Sequence, residues 1–180
     1  MRKVAFFAVA GVAGAVSVAA CAPTVGSAEV ASEVPASASL CRTGEQALFQ
    51  CQAGAKTIAL CSGGVGGERY VQYRFGTPGN VELAYPARGM AGLARANIPF
   101  SGGGETQVNF SNGEYQYSVF SRAIRTGFDE RGNRPQFSAG VSIFRGGQQL
   151  ADHGCNAPAD ANFDAATYDL LPEGPPIEVD

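Results

Sequence analysis

The sequence contains no tryptophan, one histidine (His153) and two methionines, and charged residues make up only 16% of its 180 positions. With one imidazole, a hydrolase would have to be built on His153, with a nucleophile and an orienting acid brought to it by the fold. Ser62, Ser101 and Ser142 are available hydroxyls, but none sits in a Gly-x-Ser-x-Gly elbow. The cysteines lack the close C-x2-C knuckles that zinc sites prefer. No Gly-Lys-Ser or Gly-Lys-Thr follows the glycine-rich stretches 63–67 and 102–104, and neither opens a helix, so neither reads as a phosphate loop. There is no convincing amphipathic helix and no basic excess, with thirteen Lys or Arg against sixteen Asp or Glu. That balance argues against nucleic acid as a partner, and no cofactor or metal is expected.

What is there begins with an export segment. Met1-Arg2-Lys3 is a short positive start, and the uncharged run Val4 to Ala20 is too slight in side-chain bulk and too poorly flanked for a membrane span. Residues 1–20 therefore read as a signal peptide. Val18-Ala19-Ala20-Cys21 resembles the lipobox of bacterial lipoproteins, which implies lipidation of Cys21 and anchoring to a membrane. Ala22, where inner-membrane retention usually shows Asp, points to the periplasmic face of the outer membrane. The alternative is ordinary cleavage nearby, for instance after Ala28, leaving a periplasmic or secreted protein. Residues 21–39 carry the lipidated cysteine and a flexible linker too poor in apolar surface to fold.

Setting Cys21 aside leaves Cys41, Cys51, Cys61 and Cys155, an even number in an oxidising compartment, so two disulfides are expected. A hairpin centred on Gly54 would set Cys51 opposite Thr57 and Cys61 opposite Ala47. Four residues of strand separate those levels, about 13 Å at roughly 3.3 Å per residue, too far for Cys51 to bridge Cys61. The favoured pairs are Cys41 with Cys61 and Cys51 with Cys155.

Residues 40–158 read as one all-β domain, an antiparallel sandwich or small barrel of about eight short strands. Gln46–Cys51 and Lys56–Cys61 form the first hairpin. Arg69–Phe75 alternates, with Val71, Tyr73 and Phe75 inward and Tyr70, Gln72 and Arg74 towards water; Val81, Leu83 and Tyr85 repeat the inward pattern. The stretch from Pro86 to Pro99 breaks the alternation, and Met90–Ala96 could make a short helical turn. Asn112-Gly113 favours a type I′ turn inside Thr106–Ser121, setting Phe110 opposite Tyr115 and Val108 opposite Tyr117. Arg122 to Gln136 reads as a long polar loop. Phe137–Arg145 and Gln148–Asp152 then pair around Gly146-Gly147, with Ile143 facing Leu150. Residues 159–180, rich in acids and proline, read as a disordered acidic tail.

Two sets of residues are candidates for recognition. Arg122, Arg125, Arg131 and Arg134 could grip phosphate or carboxylate groups of envelope polymers, peptidoglycan or lipopolysaccharide. The glycine-rich connection after Cys61 could be a binding loop on a rigid β scaffold. Cys41-x2-Gly44-Glu45, Phe49-x-Cys51, Lys56-x4-Cys61, Gln72-Tyr73-Arg74-Phe75-Gly76 and Glu82-Leu83-x-Tyr85-Pro86 are similar to a family of exported, mostly uncharacterised proteobacterial β-proteins, a likeness that brings no activity with it. Ser62-Gly63-x3-Gly67-x-Arg69-Tyr70 resembles the Ser-Gly loop by which bacterial membrane-bound and periplasmic lysozyme inhibitors plug a lysozyme cleft. That resemblance implies an inhibitory binding module rather than an enzyme. Ser62 and Gly63 would enter the cleft and Arg69 or Tyr70 would brace the loop. In this chain the loop is longer than in those inhibitors, Cys61 abuts it, and the tryptophan common after the motif is absent. The competing readings are an envelope-polymer binder using Arg122 and Arg125, and a hydrolase using His153.

Overall fold

The computed structural model of the chain describes residues 39–130 and 132–178. The expected signal peptide, Cys21 with its expected lipidation, all but the end of the expected linker, and Arg131 lie outside the described residues.

Within those limits nine strands form two antiparallel sheets. The first holds β1 (Gln46–Ala53), β2 (Lys56–Gly63), β3 (Tyr70–Thr77) and β4 (Asn80–Tyr85), in that order. The second holds β5 (Ala94–Phe100), β6 (Gly103–Asn112), β7 (Tyr115–Asp129), β8 (Gly132–Arg145) and β9 (Gln148–Gly154), again in chain order. Both sheets are meanders. No ladder joins them, so the architecture is a sandwich and not a closed barrel.

Leu48, Phe49, Ile58, Leu60, Val71 and Tyr73 of the first sheet are buried against Val108, Phe110, Val119 and Val141 of the second. Tyr85, Phe110 and Tyr117 stack through this core, with ring centroids 4.8 Å apart in each pair. A bulge between Ala47 and Phe49 turns both Leu48 and Phe49 inward, which strict alternation would forbid. Both disulfides form in the favoured pairing, Cys41–Cys61 over the first sheet's outer face and Cys51–Cys155 between the two sheets, and Cys51 does not bridge Cys61, as the spacing argued.

Several sequence expectations are corrected. The hairpin at Asn112 turns on Gly113-Glu114, with φ 62° at Gly113 alone, so Asn112 pairs with Tyr115 and Phe110 faces Tyr117. A shift of two residues keeps every side chain on its face, so alternation could not separate the two registers, whereas the Phe110–Tyr117 stack does. A bulge after Ile143 sets it opposite Ala151 and leaves Leu150 51% exposed. In place of a helical turn at Met90–Ala96, Gly89 and Gly92 adopt positive φ and β5 follows. The polar stretch 122–136 is not a loop; it continues β7 and β8 as one long hairpin with a bulge between Arg125 and Gly127.

The tail differs most. Residues 159–178 pack, because Ala161, Phe163, Ala166, Leu170 and Leu171 give this acidic segment an apolar side. Phe163 sits 4.9 Å from Phe49, and the short helix α1 (Ala166–Leu170) follows it. The prolines that argued for disorder lack N–H donors but keep their carbonyls. Pro172 O accepts from Arg95 N at 2.8 Å and Pro175 O accepts from Asn109 Nδ2 at 3.1 Å.

Candidate functional site

β2 is buried on both faces, and that decides the geometry of its outer side. Residues 39–45 fold back across it, where Leu40 packs on Ala59 and Cys61 and the Cys41–Cys61 disulfide fixes the return. Arg74, opposite Ala59 in the ladder, is thereby enclosed, 2% exposed, where the alternation placed it in water.

A buried cation needs a paired anion. Arg74 Nη1 and Nη2 donate to the two oxygens of Glu45 at 2.5 and 2.7 Å, a two-pronged pair, and Nη1 also donates to Leu40 O at 2.8 Å. Glu45 further accepts from Tyr70 Oη at 2.5 Å and from the Arg42 backbone N–H at 2.6 Å. Arg74 Nε donates to Gln72 Oε1, and Gln72 Nε2 donates to Pro86 O, both at 2.8 Å. One network thus ties the 39–45 segment, β3 and the loop at Pro86. Burial alone would raise the Glu45 carboxyl, but the hydrogen bonds from Arg74, Tyr70 and Arg42 and the guanidinium charge outweigh it and hold it at about 2. The hydrogen bond to Glu45 raises both Tyr70 and Arg74 above their ordinary values.

Above this network lies a cleft of about 520 Å3. Arg42, Arg69 and Arg88 line it as exposed side chains, with Tyr70 and Gln72 in the wall and Glu68 as the one facing acid. Among the described residues none of these three guanidinium groups is held in a hydrogen bond or ion pair. Three free cations against one carboxylate make a recess suited to an anion, and their planar forks fit carboxylate or phosphate oxygens.

The sequence-predicted residues fall in different places. Ser62 lies inside β2, buried, with its hydroxyl donating to Gln46 O at 3.4 Å, so it belongs to the sheet and not to a projecting loop. Gly63 accommodates the Tyr70 ring, whose oxygen would stand 2.6 Å from a Cβ there. Tyr70 holds Glu45, and Arg69 stands on the rim between the cleft and a second groove along the glycine-rich loop. That loop forms a 3-10 turn at Gly66–Glu68 with Val65 at its tip, 81% exposed.

Arg122 and Arg125 do not converge. Three residues apart on a strand, they leave on opposite faces. Arg122 is paired with Glu105, and Arg125 is exposed. His153 turns inward from β9, its ring 5.2 Å from that of Phe75, and among the described residues no hydroxyl or carboxylate is hydrogen-bonded to it. Cys41, Glu45 and Cys61 are the one set of potential metal ligands that comes together among the described residues, with both sulfurs in the disulfide and the carboxylate in its ion pair.

Sequence reasoning passed over Arg42 and Arg88 as binding residues, and Glu45 and Arg74 as their support. One signal was present: the unbroken apolar run Ile58-Ala59-Leu60-Cys61 marks a strand covered on both faces, which obliges Arg74 on the neighbouring strand to find an anion.

No protein-family model matches the chain, and no curated protein or solved structure matches it.

Proposed function

We propose that this chain is an exported binding module, carried on a lipidated Cys21, that holds an anionic group of an envelope polymer in the cleft lined by Arg42, Arg69 and Arg88. The gathering of three unpaired guanidinium groups over a rigid, charge-neutral base carries the reading. Two disulfides accord with an oxidising compartment outside the cytoplasm. The anion-binding role passes from Arg122 and Arg125 to these three arginines, because Arg122 is already neutralised by Glu105.

Co-sedimentation of the protein with purified peptidoglycan, and titration with lipopolysaccharide micelles, test it. One of the two polymers should bind, more weakly as salt screens the charges. The triple charge reversal Arg42→Glu, Arg69→Glu, Arg88→Glu should lower affinity at least tenfold, about 1.4 kcal/mol, with the thermal midpoint unchanged. Equal binding by the reversed protein would dispose of the cleft as the site.

A second reading, that the glycine-rich loop plugs a lysozyme cleft, is favoured by the projecting Val65. It gives insertion to residues 64–67 and leaves Ser62 in the sheet. Lysis of cell walls by c-, i- and g-type lysozymes in the presence of the protein checks it: inhibition of one class, abolished by Val65→Asp, is the expected pattern. Full lysis by all three at micromolar protein would remove this reading.

A further inference from the structure

The arginine cleft does not end at Arg69. Glu68 and Arg69 also line the second groove, of about 560 Å3, which continues along the glycine-rich loop past Gly63 and Gly64 to α1. The two recesses therefore form one trench with a shared waist. Charge divides along it: Arg42 and Arg88 line only the first part, whereas the second adds Asp169 and no further base. Glu68 and Asp169 are exposed, and among the described residues neither carboxylate is held in a hydrogen bond or ion pair.

The waist is pinned on both sides. Gly64, at φ 77°, lies so close to the turn that a Cβ there would stand 2.2 Å from Glu68 O, and beyond Arg69 the Tyr70 hydroxyl is fixed on Glu45. Opposite charges at consecutive positions are thus presented by a held backbone. Gly63, Gly64 and Ala166 give the second groove small walls, and no aromatic ring lines it among the described residues. It suits backbone and short side chains better than a stacking ring.

We infer that the trench takes a short zwitterionic peptide, its carboxylate among Arg42, Arg69 and Arg88 and its ammonium group on Glu68 and Asp169. The inference rests on the anion-binding reading of the cleft and names the chemistry of its ligand. A guanidinium fork matches a carboxylate, and a carboxylate accepts from the three donors of an ammonium group. A ligand bearing phosphates alone would satisfy the arginines but carry negative charge past Glu68 towards Asp169. A peptide places a cation there. Of the two polymers considered above, peptidoglycan is the one that carries short peptides with free amino and carboxyl groups.

NMR titration of the full-length chain in detergent with tri-alanine, N-acetyl-tri-alanine and tri-alanine amide tests this. On net charge alone the acetylated peptide, an anion, should bind an arginine-rich cleft better than the neutral zwitterion. The trench reverses that order: acetylation and amidation should each weaken binding about tenfold, the loss of one charge-assisted hydrogen bond. Glu68→Gln combined with Asp169→Asn, both at exposed positions, should bring the ratio of free to acetylated affinity from about ten to about one. An acetylated peptide that binds as tightly as the free one, or a ratio that survives the double variant, overturns the inference and leaves the anion cleft standing. Absence of peptide binding, beside polymer binding that the triple arginine reversal abolishes, overturns it likewise. Failure of the cleft itself shows separately, as polymer binding that the arginine reversal does not change.

Discussion

Replacing Arg74 with methionine should destabilise the protein by about 3–5 kcal/mol, the usual consequence of stranding one member of a buried ion pair. The Glu45 side chain, 4% exposed, would be left with Tyr70 and the Arg42 N–H as its compensation. Glu45→Gln combined with Arg74→Met should recover most of the loss, since an uncharged pair leaves no buried charge behind. Urea unfolding of the wild type, the single variants and the double variant measures this cycle. Additive losses would mean that the two side chains do not act as a pair. The pair also sets a pH dependence. Glu45 titrates at about 2 in the folded protein against 4.5 in an unperturbed chain, so on acidification the unfolded state takes up the proton first. Its stabilisation is therefore whole above about pH 4.5 and drains away towards pH 2, about 3 kcal/mol in all. Glu45→Gln should flatten the stability profile across that window, and an equally steep profile would assign the acid sensitivity to other carboxylates.

Loss of the Cys51–Cys155 disulfide, through paired alanine substitutions, should cost about 4.7 kcal/mol by the loop-closure relation. Its half-cystines are 104 residues apart in sequence, and it joins the edge of one sheet to the end of the other. The neighbouring Asn156 N–H bond to Gln52 O, 2.7 Å, depends on the same junction. The Cys41–Cys61 bridge spans 20 residues and should cost about 3.3 kcal/mol by the same relation. Removing it should act more on the cleft, because it holds the 39–45 segment over Arg74. Denaturant unfolding of the two paired variants gives the order, and polymer binding gives the second effect. A larger stability loss from the shorter bridge would show that native packing, and not chain entropy, governs both.

What the residues determined alone is what depends on near neighbours. Turn glycines and period-two alternation give an all-β chain, and strand rise with hairpin spacing excludes a Cys51–Cys61 bridge. The apolar residues of the 106–121 hairpin fall on one face whichever of its two registers forms. Long-range packing decided the rest. The stack of Phe110 on Tyr117 selects the register, since local pattern is blind to a two-residue slip. Arg74 is buried because a distant segment returns over β2, and the acidic tail is ordered because Phe49, Arg95 and Asn109 offer it partners. Neither is encoded in periodicity. The arginine cleft follows from the same cause: Arg42, Arg69 and Arg88 belong to three separate connections, and a return of the chain that no local preference specifies brings them to one recess.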